Sequence, residues 1–228
     1  MRYELKMVFP ETEYMAVVNN ILGSSKFVRE IYHERQINNI YFDTLNYTDY
    51  FANLHGDSHR KKYRIRWYGP SAGEITSPTL ELKYKRGLCG GKKMIPVPKF
   101  RFNGAFDFCR YAGEIEKILP ASDEQGNAML GELLQRNPVL YNSYVRRYFL
   151  TKDGKYRITL DKHLWYSPMP VALLDVDTYS RYEHMLVLEI KFDEKDFPGA
   201  SSLINELGYS IDRNSKYVNG IQATAGYL

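Results

Sequence analysis

Apolar and polar residues alternate with a period of two over much of the chain, which is the signature of strands with one buried face. The first such run is Arg2 to Val8. After Pro10, Tyr14, Val17, Val18, Ile21 and Leu22 fall on one helical face that ends at Gly23. Strands are expected over Phe27 to His33 and Ile37 to Asp43, and a short helix over Tyr47 to Leu54. Two further strands, Arg60 to Tyr68 and Thr79 to Arg86, flank a Gly69 to Gly73 hairpin loop. Lys92 to Val97 reads as a strand, and Phe106 to Leu119 and Asn127 to Gln135 as helices separated by Pro120. The remaining strands are expected over Val139 to Leu150, Tyr156 to Asp161, Val171 to Asp177 and Tyr182 to Phe192, with a last helix over Pro198 to Leu207. No repeat or composition break divides the chain, so one α+β domain over residues 1–228 is expected.

The polar faces of these strands are unusual. Arg60, Lys62, Arg64 and Arg66 share one face, opposite Tyr63, Ile65 and Trp67. Glu81, Lys83 and Lys85 oppose Leu80, Leu82 and Tyr84. Glu189 and Lys191 oppose Leu188, Ile190 and Phe192, and in the first strand Arg2, Glu4 and Lys6 oppose Tyr3 and Leu5. One wet face is ordinary for an antiparallel sheet. Four strands dominated by Arg and Lys are not, because like charges on adjacent strands repel unless counter-charges occupy the face. A polyanion ligand is therefore expected. Closing the sheet would turn this face inward and remove the sheet edges, which predicts an inside-out barrel with a charged lumen and helices packed outside.

Composition adds limits. The chain has 228 residues, 44% hydrophobic and 25% charged, near the globular average and far from disordered or disulfide-dense classes. Twenty tyrosines and eleven phenylalanines favour strands. Cys89 and Cys109 lack metal-ligand spacing, the five histidines are scattered, and a reduced pair of thiols is expected. The charged N-terminus lacks the apolar core of a signal peptide and no run is long enough to span a bilayer, so a cytoplasmic location is expected.

The ordered segments Ile40-Tyr41-Phe42-Asp43-Thr44, Arg64-Ile65-Arg66, Leu80-Glu81-Leu82-Lys83-Tyr84-Lys85 and Tyr144-Val145-Arg146-Arg147 are followed by Arg157-Ile158-Thr159-Leu160-Asp161, Leu188-Glu189-Ile190-Lys191 and Arg213-Asn214-Ser215-Lys216-Tyr217. Together with the strand ending in Lys6, this series resembles the VTC domain, the polyphosphate polymerase catalytic domain within the CYTH, or triphosphate tunnel metalloenzyme, superfamily. The resemblance spans Arg2 to Tyr217. It implies a closed eight-stranded antiparallel β-barrel, a tunnel that binds ATP and a divalent metal, Mn²⁺ or Mg²⁺, and passes the terminal phosphoryl group to a growing polyphosphate chain. It also implies that Lys6, Arg64, Arg66, Lys83, Arg146 and Arg157 form the catalytic, phosphate-holding wall. Lys85, Tyr144, Lys191, Arg213, Ser215 and Lys216 are implied as further phosphate contacts, and Glu189 as the metal ligand. Lys85 falls where some members have histidine.

Hydrolytic members of the superfamily carry an ExExK signature on the first strand, whereas the corresponding positions here are Arg2, Glu4 and Lys6. Loss of one acid disfavours water activation by two metals. Glu4 and Glu81 are open to metal or salt-bridge roles. The alternatives are an inorganic or nucleoside triphosphatase of the same fold and a polyphosphate-binding module without turnover. The tyrosines alternate opposite the basic residues, which suits packing better than base stacking, so nucleic acid is not an expected partner. A membrane-protein partner and the oligomeric state stay open.

Charge then divides unevenly. The ten cations Lys6, Arg64, Arg66, Lys83, Lys85, Arg146, Arg157, Lys191, Arg213 and Lys216, with Glu4, Glu81 and Glu189, give the expected site +7. The remaining 21 cations and 24 acids give −3. Tyr41 to Thr44 are expected to serve as a strand end and turn, Lys92 and Lys93 as a solvated turn, and Asp161 either as a lumen acid or as a turn closer.

Overall fold

The computed structural model describes residues 2–87, 89–169 and 180–224. The strand expected over Val171 to Asp177 lies outside them. Eleven strands and six α-helices are found among the described residues, in an α+β arrangement. The long sheet has the hydrogen-bonded order β1 (Arg2–Pro10), β11 (Met185–Asp193), β9 (Arg157–Pro168), β8 (Asn137–Leu150), β2 (Arg29–Asp43), β3 (His59–Tyr68), β5 (Thr79–Arg86) and β6 (Cys89–Pro96), with antiparallel pairing of β1 with β11, β11 with β9, β2 with β3, β3 with β5 and β5 with β6. Its end strands, β1 (Arg2–Pro10) and β6 (Cys89–Pro96), are not paired with each other, so the expected closed barrel is not formed. Alternation specifies which face a side chain takes. It does not specify whether the two ends of a sheet meet. No described helix is long and apolar enough to cross a membrane.

The chain divides into two compact units. The first comprises residues 1–36, 144–164 and 182–215. In it β1 pairs with β11 (Met185–Asp193), which pairs in turn with β9 (Arg157–Pro168). Met7 and Phe9 of β1, Leu186, Leu188 and Ile190 of β11 and Ile158 and Leu160 of β9 supply one apolar face. Helices α1 (Tyr14–Leu22) and α5 (Phe197–Leu207) cover it with Val17, Val18, Ile21, Leu203 and Leu207. The opposite face of the same strands carries the charges. The expected strand over Tyr182 to Phe192 is broken at His184 into β10 (Arg181–Glu183) and β11.

The second unit comprises residues 37–143, 165–181 and 216–228. Strand β2 (Arg29–Asp43) enters it at Ile37 and pairs with β3 (His59–Tyr68), then β5 (Thr79–Arg86) and β6. Its apolar face, with Tyr63, Ile65, Trp67, Leu80 and Leu82, packs under α3 (Phe108–Ile118) and α4 (Glu124–Leu133). Asp123 accepts from the Gly126 N–H at 2.8 Å and starts α4 three residues before the expected Asn127. The Gly69 to Gly73 loop ends in β4 (Gly73–Ile75), paired with β7 (Phe100–Phe102). The expected break between His33 and Ile37 is absent, because β2 continues through Glu34, Arg35 and Gln36 as one strand.

Asp43 ends β2 and caps α2 (Thr48–His55): its carboxylate accepts from the N–H groups of Asp49 at 2.9 Å and Tyr50 at 2.8 Å. It also accepts from the Tyr217 hydroxyl, which anchors the helix α6 (Lys216–Thr224), an element not expected from the sequence. Gly220 lets α6 approach closely, since a Cβ there would stand 2.5 Å from Leu140 Cδ2 and 2.6 Å from Tyr166 Cδ1.

Candidate functional site

Charged side chains gather into one cluster in each unit. In the first unit, the antiparallel register aligns Lys6, Glu189 and Thr159 across β1, β11 and β9, and Glu4, Lys191 and Arg157 in the next row. Side chains two apart on a strand share a face, so both rows lie on the face opposite Leu188 and Ile158. The Lys6 ammonium lies 3.1 Å from Glu4 Oε1 and 3.7 Å from Glu189 Oε2. Lys191 pairs with Glu189, and with Glu4 at 3.7 Å. Arg146 of β8 (Asn137–Leu150) forms a bidentate pair with Asp161, at 2.6 and 2.8 Å, and lies 5.4 Å from the Tyr144 ring centroid.

Asp161 is therefore the partner of Arg146 on the charged face and does not close the next turn. The loop Arg213 to Ser215 is held to the same face. Lys6 Nζ donates to the Asn214 carbonyl at 2.8 Å, and the Asp212 N–H donates to the Lys6 carbonyl at 2.8 Å. Arg157 and Arg213 are exposed there.

Electrostatics keep this cluster ionised. Burial alone would lower the Lys6 ammonium, but Glu189 and Glu4 raise it above its ordinary value. Burial would likewise raise the Glu189 carboxyl, and Lys191, Arg146 and Lys6 hold it well below the carboxylate range. Arg146 is raised by Asp161 against its own burial.

In the second unit, Glu81 is the hub. Its Oε2 accepts from Arg64 Nε at 2.7 Å and lies 3.7 Å from Arg66 Nη1, while its Oε1 accepts from Lys92 Nζ at 2.5 Å. These cations overcome burial and push the Glu81 carboxyl down to about 2. Arg64 also donates to the Tyr41 hydroxyl at 3.2 Å, and Arg66 to Asn39 Oδ1 at 2.9 Å. Asn39 is braced by Asn142, which it reaches at 3.2 Å. Lys62, Lys83 and Lys92 stand directly opposite one another across β3, β5 and β6, with Arg60 opposite Lys85 in the next row.

Lys92 thus lies in a strand, as the expected Lys92 to Val97 strand has it, and belongs to the Glu81 cluster, so its reading as a solvated turn fails. Lys93 also lies in β6, half-buried, and the expected solvated turn fails there too. Of the other expected site residues, Lys6, Tyr144, Arg146, Arg157, Glu189, Lys191, Arg213 and Ser215 lie in the first unit, and Arg64, Arg66, Lys83, Lys85 and Lys216 in the second. Asn39, Asn142 and Thr159 also reach these clusters, and only their face parity in the sequence could have pointed to them.

A divalent cation needs oxygen donors. No group of three His, Cys, Asp or Glu side chains that could hold a metal occurs among the described residues. Two buried side-chain oxygens among the described residues nevertheless lack a hydrogen-bond partner, Thr159 Oγ1 and Asn214 Oδ1. A third, Glu189 Oε1, has the Lys191 ammonium against it. All three oxygens belong to the Lys6 row or to the loop bonded to Lys6. The donors present fit a hard cation that takes its remaining ligands from substrate and water.

Comparison with known proteins follows the same lines. The VTC domain family model matches residues 1–225. A putative adenylate cyclase from Bacillus halodurans is similar in structure, with a TM-score of 0.55 and 14% identity, covering 100% of this chain and 98% of that one. The PH1819 protein from Pyrococcus horikoshii OT3 gives a TM-score of 0.52 and 14% identity over 97% of this chain and 99% of that one. At such identity the likeness concerns the fold alone. No curated protein matches the sequence.

Proposed function

The chain belongs to the VTC domain family and has the CYTH, or triphosphate tunnel, fold, and from that premise we propose that it is a polyphosphate polymerase using ATP. The observation that carries this reading is the gathering of Lys6, Lys191 and Arg146 around the buried Glu189. Phosphoryl transfer asks a protein mainly for alignment and charge neutralisation. A terminal oxygen of the phosphate chain forms a bond to the γ-phosphorus of ATP as the bond from that phosphorus to the β,γ-bridging oxygen breaks. ADP leaves with the electron pair. The attacking oxygen is already ionised near neutral pH, so no general base is required.

In this reading Lys6, Arg146 and Arg157 neutralise phosphoryl oxygens in the first unit, where Tyr144, Lys191, Arg213 and Ser215 add phosphate contacts, and Arg supplies the bidentate contacts. In the second unit Arg64, Arg66 and Lys83 do the same for the phosphates they meet, with Lys85 and Lys216 as further contacts. Lys6, Lys191, Arg146, Arg64 and Arg66 are paired with carboxylates, so an entering phosphate exchanges partners with Glu189, Asp161 or Glu81. Glu189 is the residue that would hold Mn²⁺ or Mg²⁺, which when bound supplies additional charge neutralisation.

Purified protein given ATP and Mn²⁺ is expected to yield ADP and a chain of phosphates. Release of monophosphate alone, from ATP or tripolyphosphate, would overturn the reading in favour of a triphosphatase. Polyphosphate binding with no turnover would make it a binding module.

A further inference from the structure

Buried polar atoms in folded proteins are nearly always hydrogen-bonded, so those that are not ask for an explanation. Among the described residues, Thr159 Oγ1 and Asn214 Oδ1 have no such partner, and both belong to segments that meet Glu189 or its partner Lys6. Thr159 is the register partner of Glu189 on the adjacent strand, which sets their Cβ atoms about 5 Å apart on the same face. Asn214 gives its carbonyl to Lys6 Nζ, the same ammonium that pairs with Glu189 Oε2. Its side-chain oxygen is left without a donor.

A structural role accounts poorly for this pattern. Thr159 faces the Glu189 carboxylate on the adjacent strand, and its buried hydroxyl oxygen has no donor. One carboxylate with neutral oxygens and substrate phosphates is a usual donor set for a hard cation. We propose that Thr159 Oγ1 and Asn214 Oδ1 complete, with Glu189, the protein's oxygen donors for the divalent cation. This rests on reading the Glu189 cluster as the site of a metal-dependent phosphoryl transferase. Lys191, more exposed than Glu189, is the cation that turns away from Glu189 toward phosphate when the metal enters.

The test measures Mn²⁺ binding by the electron paramagnetic resonance of the free ion, with and without tripolyphosphate. Thr159→Val keeps the side-chain shape and removes the oxygen, and is expected to weaken Mn²⁺ about tenfold while leaving metal-free tripolyphosphate affinity unchanged. Thr159→Ser, which restores the oxygen, should bind Mn²⁺ like the wild type, and Asn214→Leu should repeat the loss. Equal Mn²⁺ affinity in wild type and Thr159→Val, or no Mn²⁺ binding by the wild type, overturns the inference. Polymer formation is scored separately. A protein that makes polymer but binds Mn²⁺ independently of Thr159 loses the donor set and keeps the function; one that binds Mn²⁺ through Thr159 and makes no polymer does the reverse.

Discussion

Glu81 and Glu189 are the same residue at equivalent positions of two charged strand faces, and their surroundings differ in one respect that separates their roles. Each is buried and each faces three cations. Both oxygens of Glu81 accept hydrogen bonds, from Arg64 and from Lys92. Glu189 is instead held by two ammonium groups, Lys191 on Oε1 and Lys6 at 3.7 Å from Oε2. The planar guanidinium of Arg64 grips Glu81 in a fixed geometry. Ammonium groups on flexible stems are exchanged more readily for a metal. The first unit also places its Arg146 on a separate acid, Asp161, while the second shares a single acid among Arg64, Arg66 and Lys92.

That division of acids leads to the largest expected effect. Arg146→Met leaves Asp161, whose side chain is 1% exposed, buried without its guanidinium. A loss of about 3–5 kcal/mol in urea unfolding is expected. Arg64→Met should cost less than half as much, since Glu81 keeps Lys92 and Arg66. Equal losses would show that sharing one acid among three cations gives no protection.

Acid sensitivity comes next. The folded Glu81 carboxyl is depressed from 4.5 to about 2, so its contribution is fully present above pH about 4.5 and is lost as pH falls toward 2. A shift of that size corresponds to about 3 kcal/mol. Wild-type stability should fall across this window, and Glu81→Gln should remove that part of the slope while Glu189, also depressed, retains its own. An unchanged slope in Glu81→Gln would place the sensitivity elsewhere.

The third effect concerns turnover. Glu189→Gln should lower kcat about 100-fold without weakening metal-free tripolyphosphate binding, because the change removes a negative charge from the face. Glu81→Gln should lower stability and leave kcat within a few-fold of wild type in whatever protein remains folded. Comparable kcat losses in the two variants would erase the distinction drawn between the carboxylates.

Much of this was legible in the sequence because alternation reports directly on faces. The charged parity of Arg60 to Tyr68 and Thr79 to Arg86 survives intact in β3 and β5, and Lys6 and Glu189 meet as register partners. Lys92 is ambiguous because it follows Gly90-Gly91, and Asp161 because a strand end is expected there, whereas β9 runs on to Pro168; only long-range pairing shows which strand face receives them. Helix α6 escaped notice although Tyr217, Val218 and Ile221 have helical spacing, because it is held by the distant Asp43 and by the Gly220 contact. Closure of the barrel was expected from the charge of one face, and charge does not decide whether edge strands pair.

The smallest expected effect separates a satisfied hydroxyl from an unsatisfied one. The Tyr41 hydroxyl accepts from Arg64, so Tyr41→Phe removes a hydrogen bond to a charged group, with an expected loss of about 1 kcal/mol. The Thr159 hydroxyl oxygen has no described donor, and Thr159→Val removes a desolvated oxygen that nothing in the metal-free protein repays. Its metal-free stability should stay level or rise by up to about 1 kcal/mol, read as the urea midpoint with a chelator present. Adding Mn²⁺ and tripolyphosphate should reverse the order, because only the protein that keeps Oγ1 gains the full binding free energy of the metal. A Thr159→Val protein that is less stable without metal would assign the hydroxyl to the fold and return Glu189 to the same structural standing as Glu81.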